Sequence, residues 1–147
     1  MSAEQGVRIG ARSSIAGDLD TRTHVHDLVV AFYREIVFDD VLAPMFEEVA
    51  EVDWSVHIPR LIDYWCRILL DEPVYNGSLL VTHQDVHRRE AFRTEHFDRW
   101  YRLWVDTIDT RWRGPIAERA KVHAAATARL LSRRLRDQHW SEPPQGA

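Results

Sequence analysis

The sequence predicts an all-α fold of about five or six helices of unequal length. Three observations predict it. Apolar residues recur at spacings of three and four, no segment alternates as a half-buried strand does, and clusters of Gly, Pro and Asp separate the periodic stretches.

Residues 1–22 carry three glycines and little apolar periodicity, so a loosely docked lead-in is expected there. The domain proper is expected over residues 23–136. Val25, Leu28, Val29, Phe32 and Ile36 make the stripe of a first helix, with Thr23 as its cap and Asp39-Asp40 as its end. A short segment with Leu42, Met45, Phe46 and Val49 follows.

The next helix is expected from near Ser55 to Leu70, with Leu61, Tyr64, Trp65 and Ile68 inward. Pro59 should then fall within about the first turn, where N–H groups lack partners. Pro73 and Asn76-Gly77 are turn chemistry, and a short helical piece is expected over residues 79–87. Thr94 is placed as the cap of a long helix carrying Phe97, Trp100, Leu103, Trp104 and Ile108. Gly114-Pro115 stops it and opens a last helix with Ile116, Ala120, Leu130 and Leu131 inward. Residues 137–147, with Pro143-Pro144 and Gly146, are expected to be a disordered tail.

The 147 residues amount to one domain, and a formal charge of −4 gives no basic field for nucleic acid or anionic lipid. No apolar run approaches the roughly 20 residues that cross a bilayer, and no leader pattern is visible. No nucleic acid or membrane is therefore expected as a partner. Cys66 stands alone, which excludes an intrachain disulfide and a Cys-based zinc site and makes a reducing cytoplasm the expected location. Its expected role is packing, as a small buried hydrophobe.

No glycine-rich phosphate loop, nucleophile elbow, HExxH or calcium-loop pattern occurs. The pairs Glu47-Glu48 and Asp71-Glu72 read as solvated charge, so no catalytic acid–base pair is assigned. His83 and His87 stand four apart, on one face of any helix that holds them. That spacing alone is met by two partly exposed polar residues, by half of a zinc site, or by one axial ligand to a haem iron. His57 upstream favours the last, because a haem pocket needs one helix below the iron and another above it. Phe32, Phe46, Leu61, Trp65, Phe97 and Trp100 could sheath the macrocycle, although each is equally ordinary core material. Tyr33 flanks its helix stripe, and its phenol needs a partner, either a backbone carbonyl or a bound ligand.

Four stretches taken together resemble the third group of the truncated haemoglobins. They are Ala31-Phe32-Tyr33 with Ala43-Pro44-Met45-Phe46; Trp54-Ser55-Val56-His57 leading to Tyr64-Trp65; Tyr75-Asn76-Gly77 leading to Thr82-His83; and the run HFDRW over residues 96–100. Gly114-Pro115 with Glu118-Arg119-Ala120 opens the last helix in the same way. The resemblance spans residues 25–135. It departs from relatives at Leu79, where they often place proline. The double-glycine hinges of the first two groups are absent.

That resemblance implies a two-over-two helical sandwich around haem b (iron protoporphyrin IX). It makes His83 the proximal iron ligand and turns His87 toward the propionate edge or solvent. Phe46, Leu61, Trp65, Phe97 and Trp100 would line the haem, with Tyr33, His57 and Trp100 on the side that meets a ligand. Dioxygen and other small diatomic molecules are the implied ligands. Reaction with nitric oxide or peroxide would need an external reductase. A second class remains open, a haem-free helical module that binds a protein partner or senses a signal, in which every aromatic is core.

Overall fold

A computed structural model describes residues 15–46, 53–73, 83, 92–136 and 140–143. Four helices carry it: α1 (Arg22–Ile36), α2 (Trp54–Leu70), α3 (Thr94–Arg111) and α4 (Pro115–Arg136). Among the described residues there is no strand, only an isolated bridge between Gly17 and Trp112. Helices α1 and α2 form one packed pair and α3 and α4 the other, with α1 resting on α3 and α2 touching α4. The fold is all-α. No described helix is long and apolar enough to cross a membrane.

Helix α1 starts two residues earlier than its stripe suggests. Thr21, not Thr23, is the cap, and its hydroxyl accepts the His24 N–H at 3.2 Å. Val25, Leu28, Val29, Phe32 and Ile36 are all buried, as their spacing requires. Beyond its end, the buried Asp39 accepts the N–H groups of Val41 and Leu42 and pairs with Arg99 at 2.6 Å. The terminator residue is thus also a tie between the α1 exit and α3.

Asp53 caps α2 through the Ser55 N–H at 3.0 Å and closes on the Ser55 hydroxyl at 2.6 Å. Pro59 consequently lies in the second turn rather than the first, and its ring deprives the Ser55 carbonyl of a helical donor. Ser55 is exposed, so water can take that carbonyl. The buried face of α2 is Ile62, Trp65, Cys66 and Leu69. Leu61, Tyr64 and Ile68, expected inward, are only partly buried against the core. Cys66 is fully buried, and burial pushes its thiol pKa up.

Thr94 is the first residue of α3 and not its cap. Arg93 holds that position, and its N–H donates to His96 Nδ1 at 2.8 Å. Helix α4 packs through Ala117, Ala120, Ala124 and Ala128, whose small side chains let α3 approach closely enough for Trp104 Nε1 to donate to the Ala120 carbonyl at 3.1 Å. Leu131 is buried as expected, but Leu130 is 42% exposed because it falls on the opposite side of the helix.

The start of α4 is capped from the far end of the chain. Asp18 accepts the N–H groups of Ile116 at 3.0 Å and Ala117 at 2.7 Å, together with that of Leu19 at 2.8 Å. Gly114 makes the approach possible. Its φ is +140°, and a Cβ there would lie 2.5 Å from the Asp18 carboxyl carbon. The stretch just before α1 is thus docked, with Leu19 fully buried. Residues 140–143 are described beyond α4. Trp140 is buried on Tyr101, and its Nε1 donates to Asp98 at 2.7 Å.

Burial opposes the Asp18 charge, but its backbone donors and nearby Arg119 outweigh that and hold its carboxyl below the usual range. A depressed carboxylate contributes stability above its ordinary pKa and loses it as pH falls through the folded value. Asp18→Ala is expected to cost about 2 kcal/mol at neutral pH, the upper end for a lost cap. Urea unfolding measures it, and the gap to the parent should close on acidification. An unchanged midpoint at neutral pH would refute the cap.

Candidate functional site

A cavity opens between the two helix pairs, enclosing about 1100 Å³ of empty space when its open mouth is included. Helix α1 contributes Tyr33, and residues 42–46 contribute Leu42, Met45 and Phe46. Helix α2 presents His57, Arg60, Leu61, Tyr64 and Trp65, a face built by steps of three and four. His83, Phe92 and, from α3, His96, Phe97 and Trp100 form a further wall. Thr127, Ala128 and Leu131 of α4 complete the lining.

Tyr33, Phe46, His57, Leu61, Trp65, His83, Phe97 and Trp100, all singled out in the sequence, line this one space. Phe32 does not. It lies behind the wall, edge-on to Tyr33, Trp100 and Trp104. His87 and Tyr75-Asn76-Gly77 lie outside the described residues.

The polar groups in this mostly apolar space are few. Tyr33 is buried, and its hydroxyl makes no hydrogen bond among the described residues. Burial raises its pKa, so the phenol keeps its proton. Its ring stands at 90° to His57, with centroids 5.2 Å apart, and packs on Phe46 and Trp54. Trp54 in turn stacks on Phe46 at 5.7 Å, so an aromatic box fixes both Tyr33 and His57.

His57 Nε2 is buried and has no partner among the described residues. Burial first, then the nearby His83 and Arg60, push its pKa down to about 4. The imidazole is therefore neutral at physiological pH, with one nitrogen able to donate or accept. His83 is helical, half-buried and tilted against Phe92 at 5.9 Å. Among the described residues no three His, Cys, Asp or Glu side chains cluster to hold a metal ion between them.

Sequence reasoning passed over Arg60, Tyr64, Phe92 and His96 as lining residues. A signal existed for two of them, since residues 60 and 64 follow His57 by three and seven on the same helix face. For Phe92 and His96 no local pattern separates a cavity wall from ordinary core.

No family model matches the chain. The group 3 truncated haemoglobin ctb of Campylobacter jejuni is 26% identical over 111 residues, covering 71% of this chain and 85% of the relative. The crystal structure of the group III truncated haemoglobin from Campylobacter jejuni superposes with a TM-score of 0.69 at 24% identity, over 78% of this chain and 91% of that one. The chain is thus similar in sequence and in fold to group III truncated haemoglobins.

Proposed function

We propose that this chain is a truncated globin that holds haem b in the cavity, with His83 as the iron ligand, and binds dioxygen and other diatomic ligands beside Tyr33, His57 and Trp100. The observation that carries the reading is the buried, unpartnered His57 Nε2 among aromatic walls. A buried polar nitrogen without a partner is costly, and a ligand in the cavity removes that cost. The remaining donors fit as well. The apolar lining suits a flat macrocycle, and His83 offers an imidazole.

When bound, the haem iron supplies an open coordination position and one-electron redox chemistry. The chain supplies the rest. Tyr33 and Trp100 have an O–H and an N–H to give, and an indole can only donate. Both favour a ligand carrying negative charge on its outer atom. Neutral His57 can donate to the same ligand or turn aside. Arg60, exposed while lining the cavity, places a positive charge at its mouth. A ligand caged this closely suits reaction with nitric oxide or peroxide better than delivery, with electrons returned by a separate reductase.

Purified protein is expected to show the intense Soret band of a haem protein, directly or after reconstitution. Cys66→Ser should leave that spectrum unchanged, because Cys66 is absent from the cavity lining and lies in the core. A protein that stays colourless with added haem overturns the reading. A spectrum that changes with Cys66→Ser overturns the imidazole assignment.

A further inference from the structure

The geometry points to Tyr64 and His123 as the outer end of an aromatic relay that carries oxidising equivalents out of the cavity. The inference rests on the haem reading above and extends it to Tyr64, Trp104 and His123, to which that reading gives no part in binding the ligand.

The inner part of the relay is a ladder of indoles. Trp100 lines the cavity and lies parallel to Trp104, with centroids 6.5 Å apart and 6° between planes. Trp104, fully buried, stacks on Trp65 at 4.5 Å. Trp65 also lines the cavity, and it meets the Tyr64 ring edge-on at 5.4 Å. Tyr64 Oη is 2.6 Å from His123 Nε2 on α4, and both residues are only partly buried. An unbroken series of oxidisable rings thus runs from Trp100 to Tyr64, which lines the cavity on one side and meets the partly exposed His123 on the other.

Direction comes from the protons. An oxidised indole or phenol is strongly acidic, and it becomes a stable neutral radical only if a base takes its proton. Trp104 Nε1 donates to the Ala120 carbonyl, which is no base, so a hole there keeps its proton and moves on. Tyr33 has no base on its hydroxyl among the described residues. Tyr64 has an imidazole. Burial lowers the His123 pKa, so the ring is neutral at rest and Nε2 can accept. Oxidation of Tyr64 therefore ends with a tyrosyl radical and an imidazolium.

Hydrogen peroxide is the oxidant, and its reduction to two waters takes two electrons and two protons. Each pass of the relay supplies one electron from Tyr64, by way of Trp65, while the phenolic proton rests on His123 Nε2. A reductant of the ascorbate or phenol class then returns the electron, and His123 returns the proton to Tyr64. The proton that this reductant releases to solvent replaces one of those consumed by peroxide. Two passes balance one peroxide.

The test uses the full haem-loaded chain mixed with peroxide, freeze-quenched for electron paramagnetic resonance, with a nitroso spin trap and peptide mapping in parallel. The expected result is a tyrosyl signal with the trap adduct on Tyr64. Tyr64→Phe should lose it. His123→Gln keeps a hydrogen-bond acceptor but removes the base, and should lose the tyrosyl signal while oxidation shifts to tryptophan. An adduct on Tyr33, Tyr75 or Tyr101 in the parent protein overturns the relay without any variant having to fold. So does a signal unchanged by either substitution. If the protein proves colourless, the haem reading fails separately. Adduct mapping after oxidation by a photogenerated ruthenium(III) complex then decides for or against Tyr64 by the same criterion.

Discussion

Replacing His83 by alanine is expected to abolish haem retention, while the same change at His87 leaves the absorption spectrum largely intact. Two points motivate the contrast. His83 stands six residues after Gly77, the position that the resemblance to group III truncated haemoglobins implies for the iron ligand, and its side chain lines the cavity close enough to bear on the His57 pKa. A haem without its axial imidazole keeps only apolar contacts with the aromatic walls, which hold it loosely. Fold stability should fall with it, because a ligand at about 1,000 times its dissociation constant contributes roughly 4 kcal/mol to the folded state. The thermal midpoint of His83→Ala should therefore drop toward that of haem-free parent protein. Equal loss of haem in both variants, or greater loss in His87→Ala, would reverse the assignment.

Legibility in the sequence followed the range of the interactions involved. The stripe from Val25 to Ile36 is local, and it predicted both the helix and its buried face. The α4 cap was invisible, because Asp18 reaches Ile116 across 98 positions and no window of sequence joins them. The face of α2 was read as one surface when it is two. Ile62, Cys66 and Leu69 meet the core, whereas His57, Leu61 and Tyr64 meet the cavity. Both surfaces favour apolar side chains, so periodicity alone cannot divide them. Trp140 was hidden by its neighbours, since the nearby Pro and Gly read as a tail and carry no sign of the bond from its indole to Asp98. The lining of the cavity was more legible than the helix boundaries. Tyr33, His57 and Trp100 are polar or amphipathic groups set into apolar faces, a local anomaly that packing alone does not require.

Tyr33→Phe is expected to speed oxygen release by roughly 10- to 150-fold, the kinetic equivalent of losing about 1.5–3 kcal/mol from a hydrogen bond to a charged group. The substitution keeps the ring that packs on Phe46, Trp54 and His57 and deletes only the hydroxyl. Burial alone acts on that phenol and no hydrogen bond to it is found among the described residues, so none between them is lost with it. Trp100→Phe is a poorer test, because it also removes a ring parallel to Trp104 and changes the volume of the wall. Carbon monoxide provides the internal control. Its outer atom carries far less negative charge when bound, so its release should change much less in Tyr33→Phe. The deciding quantity is the ratio of the two effects, measured by stopped-flow displacement on the same preparations. Comparable acceleration for both ligands would point to a loosened cavity rather than a lost donor. Oxygen release within about twofold of the parent excludes a charge-assisted bond of that size. Tyr33 would then be a wall of the cavity like Phe46, and the case for reactive chemistry over storage would rest on His57 and Trp100 alone.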